Sequence, residues 1–308
     1  MTLLSKRAKR GLTILTTLLI LLIITIGGAS AYMLHYSLYN GENRQLSINF
    51  DPELCMKDTF IIMPSGERHH AIYLETDSAR GRTAVIVHGY QSRAESLLNL
   101  GAMYHNSLGY NILLPDLHGH GQSDGDDIQM GWKDRMDVLQ WTKVAEEIFR
   151  DSICKSRVIV HGVSMGAATT MCLSGEENLP SYICAFIEDC GYTSVWDEFA
   201  YQLKEQFGLP EIPLMYTTSL LCKYKYGWGF CEASPIHQIA KCELPMLFIH
   251  GDADTYVPFY MLRPLYEAKK GSKEIWVAPD SEHARAFHDH PDEYTNVVRG
   301  FLEKYCTE

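Results

Sequence analysis

Ser164 stands at the centre of Gly162-Val163-Ser164-Met165-Gly166, a G-x-S-x-G run. The run directly follows a β-branched stretch at 157–160 and opens a string of small residues, Ala167-Ala168-Thr169-Thr170. A strand before and a helix after hold such a serine on a sharp turn with its hydroxyl presented outward. A serine hydroxyl is a weak nucleophile and needs a base beside it. The base needs an acid that orients it and stabilises its cation. On a strand–turn–helix scaffold of this kind the chain order is Ser, then Asp or Glu, then His. A later strand, 245–249, runs into His250-Gly251-Asp252-Ala253-Asp254, which offers two acids. The next, 274–277, runs into Ala278-Pro279-Asp280-Ser281-Glu282-His283, so the base is His283. Asp189, at the end of an earlier strand, is a further candidate acid. The chemistry these residues suit is acyl transfer, and the backbone N–H of Met165 is one donor for the developing oxyanion.

The elements that must position these groups can be read from periodicity. Short apolar, β-branched runs at 84–87, 111–114, 157–160, 183–187, 246–249 and 274–277 alternate with helical patterns at 96–108, 132–149, 165–173 and 291–304. Buried strands separated by helices imply a parallel sheet covered on both faces, an α/β fold. Two more strands, 59–63 and 70–74, flank Pro64-Ser65-Gly66-Glu67 and predict a hairpin at one edge. From 196 to 240 no strand is evident and aromatics are dense, which predicts a helical cap over the sheet's carboxyl edge, where ligands bind in such sheets. Trp196, Phe199 and Trp228 are expected to line an apolar acyl pocket above Ser164.

With these elements in place the chain resembles the α/β-hydrolase superfamily. More closely it is similar to bacterial, often membrane-anchored serine hydrolases of the serine aminopeptidase-like and lysophospholipase-like group. The resemblance spans 60–305. It is carried by His88-Gly89-Tyr90, Asp116-Leu117-His118-Gly119-His120-Gly121-Gln122-Ser123, the 162–166 run, the 250–258 segment and Glu282-His283-Ala284. It implies an α/β-hydrolase fold with a cap. In the family's H-G-x-x-D-x-x-V-P pattern the acid falls on Asp254, with Asp252 as the alternative. The resemblance also implies the N–H of Tyr90 as second oxyanion donor. The expected activity is cleavage of an acyl ester through a Ser-His-Asp triad, with a small-molecule acyl substrate that includes lipid. The alternatives are amide hydrolysis by a peptidase, acyl transfer on the same triad, or an inactive binding protein on this fold. No cofactor and no metal are expected.

The amino-terminal segment reads differently from the rest. Lys6, Arg7, Lys9 and Arg10 precede an apolar stretch from 12 to 34, long enough to span a bilayer. The basic flank should remain cytoplasmic, placing the rest outside. Residues 1–35 are therefore read as a stub and single-pass signal anchor, and 36–308 as the hydrolase domain with its cap at about 196–240. Ala29-Ser30-Ala31 offers the alternative of a cleaved signal peptide and secretion. The chain has 27 Lys plus Arg against 38 Asp plus Glu, a net charge of −11, with no basic stretch beyond the first ten residues. Such a chain is a poor candidate for binding nucleic acid, and no nucleic-acid partner is expected.

Other residues draw plainer expectations. His69 and His70 are read as solvated strand residues, and Asp116 as structural. His288-Asp289-His290 lacks a third metal ligand. Of the nine cysteines, Cys222, Cys231 and Cys242 are close enough to pair locally, while Cys154, Cys172 and Cys184 read as small buried apolar residues.

Overall fold

The computed structural model describes residues 6–41 and 56–306. Residues 1–5 of the expected stub and Cys55 lie outside them. Helix α1 (Lys6–Leu38) is 33 residues long. At 1.5 Å per residue that is roughly 50 Å, well beyond the ~30 Å hydrocarbon core of a bilayer. Its apolar side chains from Leu12 to Ile24 are exposed, whereas Ser30, Leu34 and Leu38 are buried at i, i+4 spacing. The expected boundary at 35/36 therefore falls inside one continuous helix whose last turns pack on the folded domain.

Among the described residues the sheet has eight strands. They are β1 (Lys57–Ile62), β2 (Arg68–Leu74), β3 (Arg82–Val87), β4 (Asn111–Pro115), β5 (Arg157–Val163), β6 (Ile183–Asp189), β7 (Met246–Gly251) and β8 (Lys273–Ala278). Their order is β1-β2-β4-β3-β5-β6-β7-β8. The β1–β2 and β2–β4 pairs are antiparallel and the rest are parallel. The hairpin turn closes with Met63 and Glu67 paired, Gly66 taking φ +92.

Helices cover both faces: α2 (Leu98–Ala102), α3 (Asp134–Ile148), α4 (Met165–Ser174), α5 (Val195–Phe207), α6 (Leu214–Tyr226), α7 (Pro235–Ile239), α8 (Leu262–Ala268), α9 (Ala286–Asp289) and α10 (Pro291–Tyr305). One apolar core joins α3, α4 and the cap to the sheet, and a second lies under α2 and α10. The single helix expected at 96–108 is instead a 3₁₀ turn, the short α2 and a π turn. Gly101 lets this segment press on Ile112 and Leu114 of β4. The cap comprises α5, α6 and α7, with no strand among them.

Expectations about the histidines and cysteines also fail. His69 and His70 are fully buried, not solvated. The loop after β4 folds back over β2, and Ser123 and Asp116 bond His70 there. Cys184 is not a free apolar residue: it bonds Cys306 at the end of α10, 122 positions away, with the Cα atoms 5.7 Å apart. Among the described residues Cys222 and Cys242 are buried and unpaired, and Cys231 is exposed and unpaired, so the expected local pairing is not seen. The paired positions lie on β6 and at the end of α10, brought together by packing rather than by sequence proximity.

Candidate active site

Ser164 sits between β5 and α4 with φ 59 and ψ −119, a region that costs a non-glycine residue strain. The glycines on either side make that turn possible. A Cβ on Gly162 would strike the backbone of Gly166, and one on Gly166 would strike the carbonyl of Val87. The strand end is anchored by Ser164 N donating to Asp189 O at 2.8 Å.

The structure brings Ser164, His283 and Asp254 into one hydrogen-bonded chain. The Ser164 hydroxyl lies 2.8 Å from His283 Nε2, and His283 Nδ1 lies 2.7 Å from Asp254 Oδ2. The other oxygen, Asp254 Oδ1, accepts from the N–H groups of Tyr256 and Val257 at 2.9 and 3.0 Å. Burial disfavours this carboxylate, but hydrogen bonds from His250 and His283 outweigh it and hold Asp254 down at about 2. An ionised acid behind the imidazole keeps Nδ1 protonated and leaves Nε2 free to accept the serine proton. The two alternative acids are engaged elsewhere. Asp252 Oδ1 caps the N–H of Asp280, and Asp189 Oδ2 accepts from Tyr294. Asp116 accepts from Ala94 N, Gln122 N and His70, and so ties loops together.

A cavity of about 310 Å³ opens beside Ser164, within the usual size range of small-molecule sites. Tyr90 and Met165 line it next to the serine. Gly89 passes so close that a Cβ there would lie 3.2 Å from Ser164 Cβ. Of the three aromatics expected at an acyl pocket, Phe199 lines the cavity and Trp196 and Trp228 do not. Trp196 packs edge-to-face on Tyr216, and Trp228 is buried beside Phe230 in the core that joins the cap to the sheet.

Sequence reasoning missed three contributors. Met33, Tyr36 and Ser37 of α1 form part of the cavity wall, and the Tyr90 hydroxyl donates to Ser37 O at 2.9 Å. Tyr256 lies against His283, ring centroids 4.9 Å apart. Glu198 of α5 also faces the cavity, buried, with Oε2 unpartnered among the described residues. Burial, against a hydrogen bond from Gln202 and reinforced by the charge of Asp254, pushes Glu198 up to about 8. Its place was legible once the cap helix begins at Val195, because positions 195, 198, 199 and 203 share one face.

Among the described residues two groups could hold a metal ion: Cys190, Asp254 and His283, already bonded to one another or to Ser164 in part, and Glu67, His69 and His118. His288 is exposed beside Asp289, and His290 Nε2 is bonded to Pro279 O.

The family model described as "Alpha/beta hydrolase family" matches residues 84–297. The uncharacterised protein YqkD of Bacillus subtilis is 29% identical over 253 residues, covering 80% of each chain. The uncharacterised membrane protein YNL320W of Saccharomyces cerevisiae is 25% identical over 207 residues, 65% of this chain and 63% of its own. Among solved structures, the Pyrococcus furiosus esterase Pf2001 superposes with a TM-score of 0.66 at 23% identity, covering 85% of this chain and 95% of the esterase.

Proposed function

The chain belongs to the alpha/beta hydrolase family, and on that premise we propose that it is a serine hydrolase cleaving acyl esters at a membrane surface. The observation that carries this reading is the hydrogen-bonded chain from Ser164 through His283 to Asp254. Ser164 Oγ attacks the ester carbonyl while His283 Nε2 takes its proton. The N–H groups of Met165 and Tyr90 hold the oxyanion of the tetrahedral intermediate. Collapse expels the alcohol, which receives the proton from His283, and leaves an acyl group on Ser164. Water, deprotonated by His283, then releases the acid and restores the serine. Asp254 stabilises the imidazolium in both halves.

The substrate we assign is an amphiphile with an acyl chain. The cavity wall is mostly apolar, with Phe199, Leu203, Phe207, Leu214 and Met215 from the cap and Met33 from α1. A pocket built partly from the end of a helix long enough to span a bilayer sits at the level of the lipid headgroups. We place the amino terminus in the cytoplasm and the hydrolase domain outside. The four cations before the apolar run and the Cys184–Cys306 disulfide, a bond of oxidising compartments, support that orientation. The packing of Ser30 on the domain, where its hydroxyl bonds Thr217 of α6, favours a retained anchor over cleavage after Ala31.

One observation favours a second reading. Glu198 places a buried carboxyl in the cavity, where it could receive the ammonium of an aminoacyl substrate. Fluorophosphonate labelling of the protein and of Ser164→Ala, followed by acyl esters of graded length against aminoacyl amides, tests both. Labelling that persists in Ser164→Ala overturns the nucleophile. Equal kcat/KM for acetyl and octanoyl esters, with faster turnover of aminoacyl amides, replaces the ester reading by the amide one.

A further inference from the structure

Away from the cavity, Glu67, His69 and His118 converge where the β1–β2 hairpin meets the loop after β4. One ligand atom from each lies within 4.8 Å of the other two. His118 Nδ1 is 3.3 Å from Glu67 Oε2, and His69 Nε2 is 3.9 Å from the same oxygen. His69 is fully buried, yet among the described residues neither of its ring nitrogens has a hydrogen-bond partner, and neither does His118 Nδ1. An imidazole taken out of water without compensation at either nitrogen is costly. The remaining nitrogens face carboxylates: His118 Nε2 is 3.4 Å from Asp127 Oδ1, and His69 Nδ1 is 3.9 Å from Asp137 Oδ2. The loop is shaped around the second ring. Gly125, at φ +103, packs so closely on His118 that a Cβ would collide with it.

We propose that Glu67 Oε2, His69 Nε2 and His118 Nδ1 form a binding site for one divalent cation of the zinc class. Two imidazoles and one carboxylate suit zinc and its transition-metal neighbours, whereas calcium and magnesium prefer all-oxygen sets. Bonds of about 2.0–2.1 Å in a tetrahedral site separate ligand atoms by roughly 3.3 Å. The Glu67–His118 pair already has that spacing, and His69 Nε2 must close on Glu67 from 3.9 Å and on His118 from within 4.8 Å. Asp127 and Asp137 then stand behind the two imidazoles, the arrangement that orients histidine ligands in metal sites. The Glu67 side chain is 38% exposed, which leaves the fourth position open to water.

The site would act on the structure rather than on the ester. The loop carrying His118 also seats the end of α1: Ile128 N donates to Leu38 O at 2.7 Å, Asn40 N to Asp126 O at 3.0 Å, and Asn40 Nδ2 to Gly119 O at 2.9 Å. A cation joining Glu67 and His69 to His118 cross-links the hairpin to that seat. This inference does not rest on the acyl-ester reading.

The test uses the full-length protein in detergent, stripped with a chelator and then titrated with zinc chloride by calorimetry and with cobalt chloride by visible absorption. One equivalent should bind per chain, with the absorption of a four-coordinate cobalt site, and zinc should raise the thermal midpoint of the stripped protein. Affinity should fall on the order of 100-fold in Glu67→Gln and further in the His69→Gln/His118→Gln double variant. His283→Ala should bind as the wild type does, which separates this site from the triad. Glu67→Gln removes a half-exposed ligand, and equal unfolding midpoints for the stripped variant and stripped wild type check its fold. No stoichiometric binding at millimolar metal overturns the proposal. Binding that survives in the double variant, or that is lost only in His283→Ala, overturns it equally.

Discussion

Cutting the chain at Tyr36 to make a soluble hydrolase should damage the hydrolase. The last turns of α1 lie on the cap, and Ser30 and Leu34 are buried there. Ser30 Oγ bonds Thr217 Oγ1 of α6 at 2.6 Å, and Leu34 is 2% exposed. Burying a leucine side chain contributes about 1.5–3 kcal/mol, and a hydrogen bond about 1 kcal/mol. A chain beginning at Tyr36 should therefore be less stable by about 3 kcal/mol than one beginning at Gly28, which keeps both contacts. In a domain of this size that lowers the thermal midpoint by roughly 6–12 °C. The shorter chain also lacks Met33, part of the cavity wall. Each buried methylene is worth about 0.8 kcal/mol, or roughly fourfold in rate. Its kcat/KM for octanoyl esters should then drop several-fold relative to acetyl esters. The assay is thermal unfolding of both chains in the same detergent, with ester hydrolysis at fixed acyl lengths. Midpoints within about 2 °C of each other and an unchanged octanoyl-to-acetyl ratio would refute the view that α1 completes the pocket.

Replacing Ser164 with Ala should abolish fluorophosphonate labelling and cut turnover by several orders of magnitude. His283→Ala should cost a similar amount and Asp254→Asn somewhat less, and wild-type kcat in any of the three would remove that residue from the mechanism. Phe199→Ala should flatten the dependence of kcat/KM on acyl length while sparing acetyl esters. Trp228→Ala acts instead through the core that joins the cap to the sheet and should lower stability, so the opposite pattern would show the pocket wall to be misassigned. Glu188 is fully buried, with Gly191 N donating to Oε2 at 3.0 Å. Burial pushes it up from 4.5 to about 8, so between those pH values the folded state keeps a proton that the unfolded chain has lost. Stability should fall as pH rises across that window, by at most about 1.4 kcal/mol per pH unit. Glu188→Gln keeps the acceptor for Gly191 and should flatten that decline; unfolding midpoints at pH 5 and pH 8 that move equally in both proteins would rule the titration out.

The parallel strands, the helices between them and the cap were legible because each is written in a local period. A buried strand is a short unbroken apolar run, and a helix repeats every 3.6 residues. The serine turn was legible for the same reason: Gly162 and Gly166 are needed within two residues of Ser164, so the motif is local. That the three candidate catalytic positions follow strands β5, β7 and β8 was also readable, since Ser164 comes straight after its strand and Asp254 and His283 lie in the short loops that follow theirs. What only the tertiary structure decided depends on contacts between distant segments. His283 meets Asp254, while Asp252 and Asp189, equally acidic and equally close to strand ends, turn to Asp280 and Tyr294. His69 looks like any strand residue in sequence, and only the fold of the β4 loop over β2 buries it beside His118. Cys184 finds Cys306 across 122 residues because α10 packs back onto β6. Trp196 and Phe199 are three positions apart on one helix, yet only Phe199 reaches the cavity. Met33 carries no mark of a pocket residue in an apolar run, and becomes one because α1 ends against the cap. Periodicity tells which face of an element is buried; it does not tell what that face is buried against, because that is set by the packing of elements far apart in the chain.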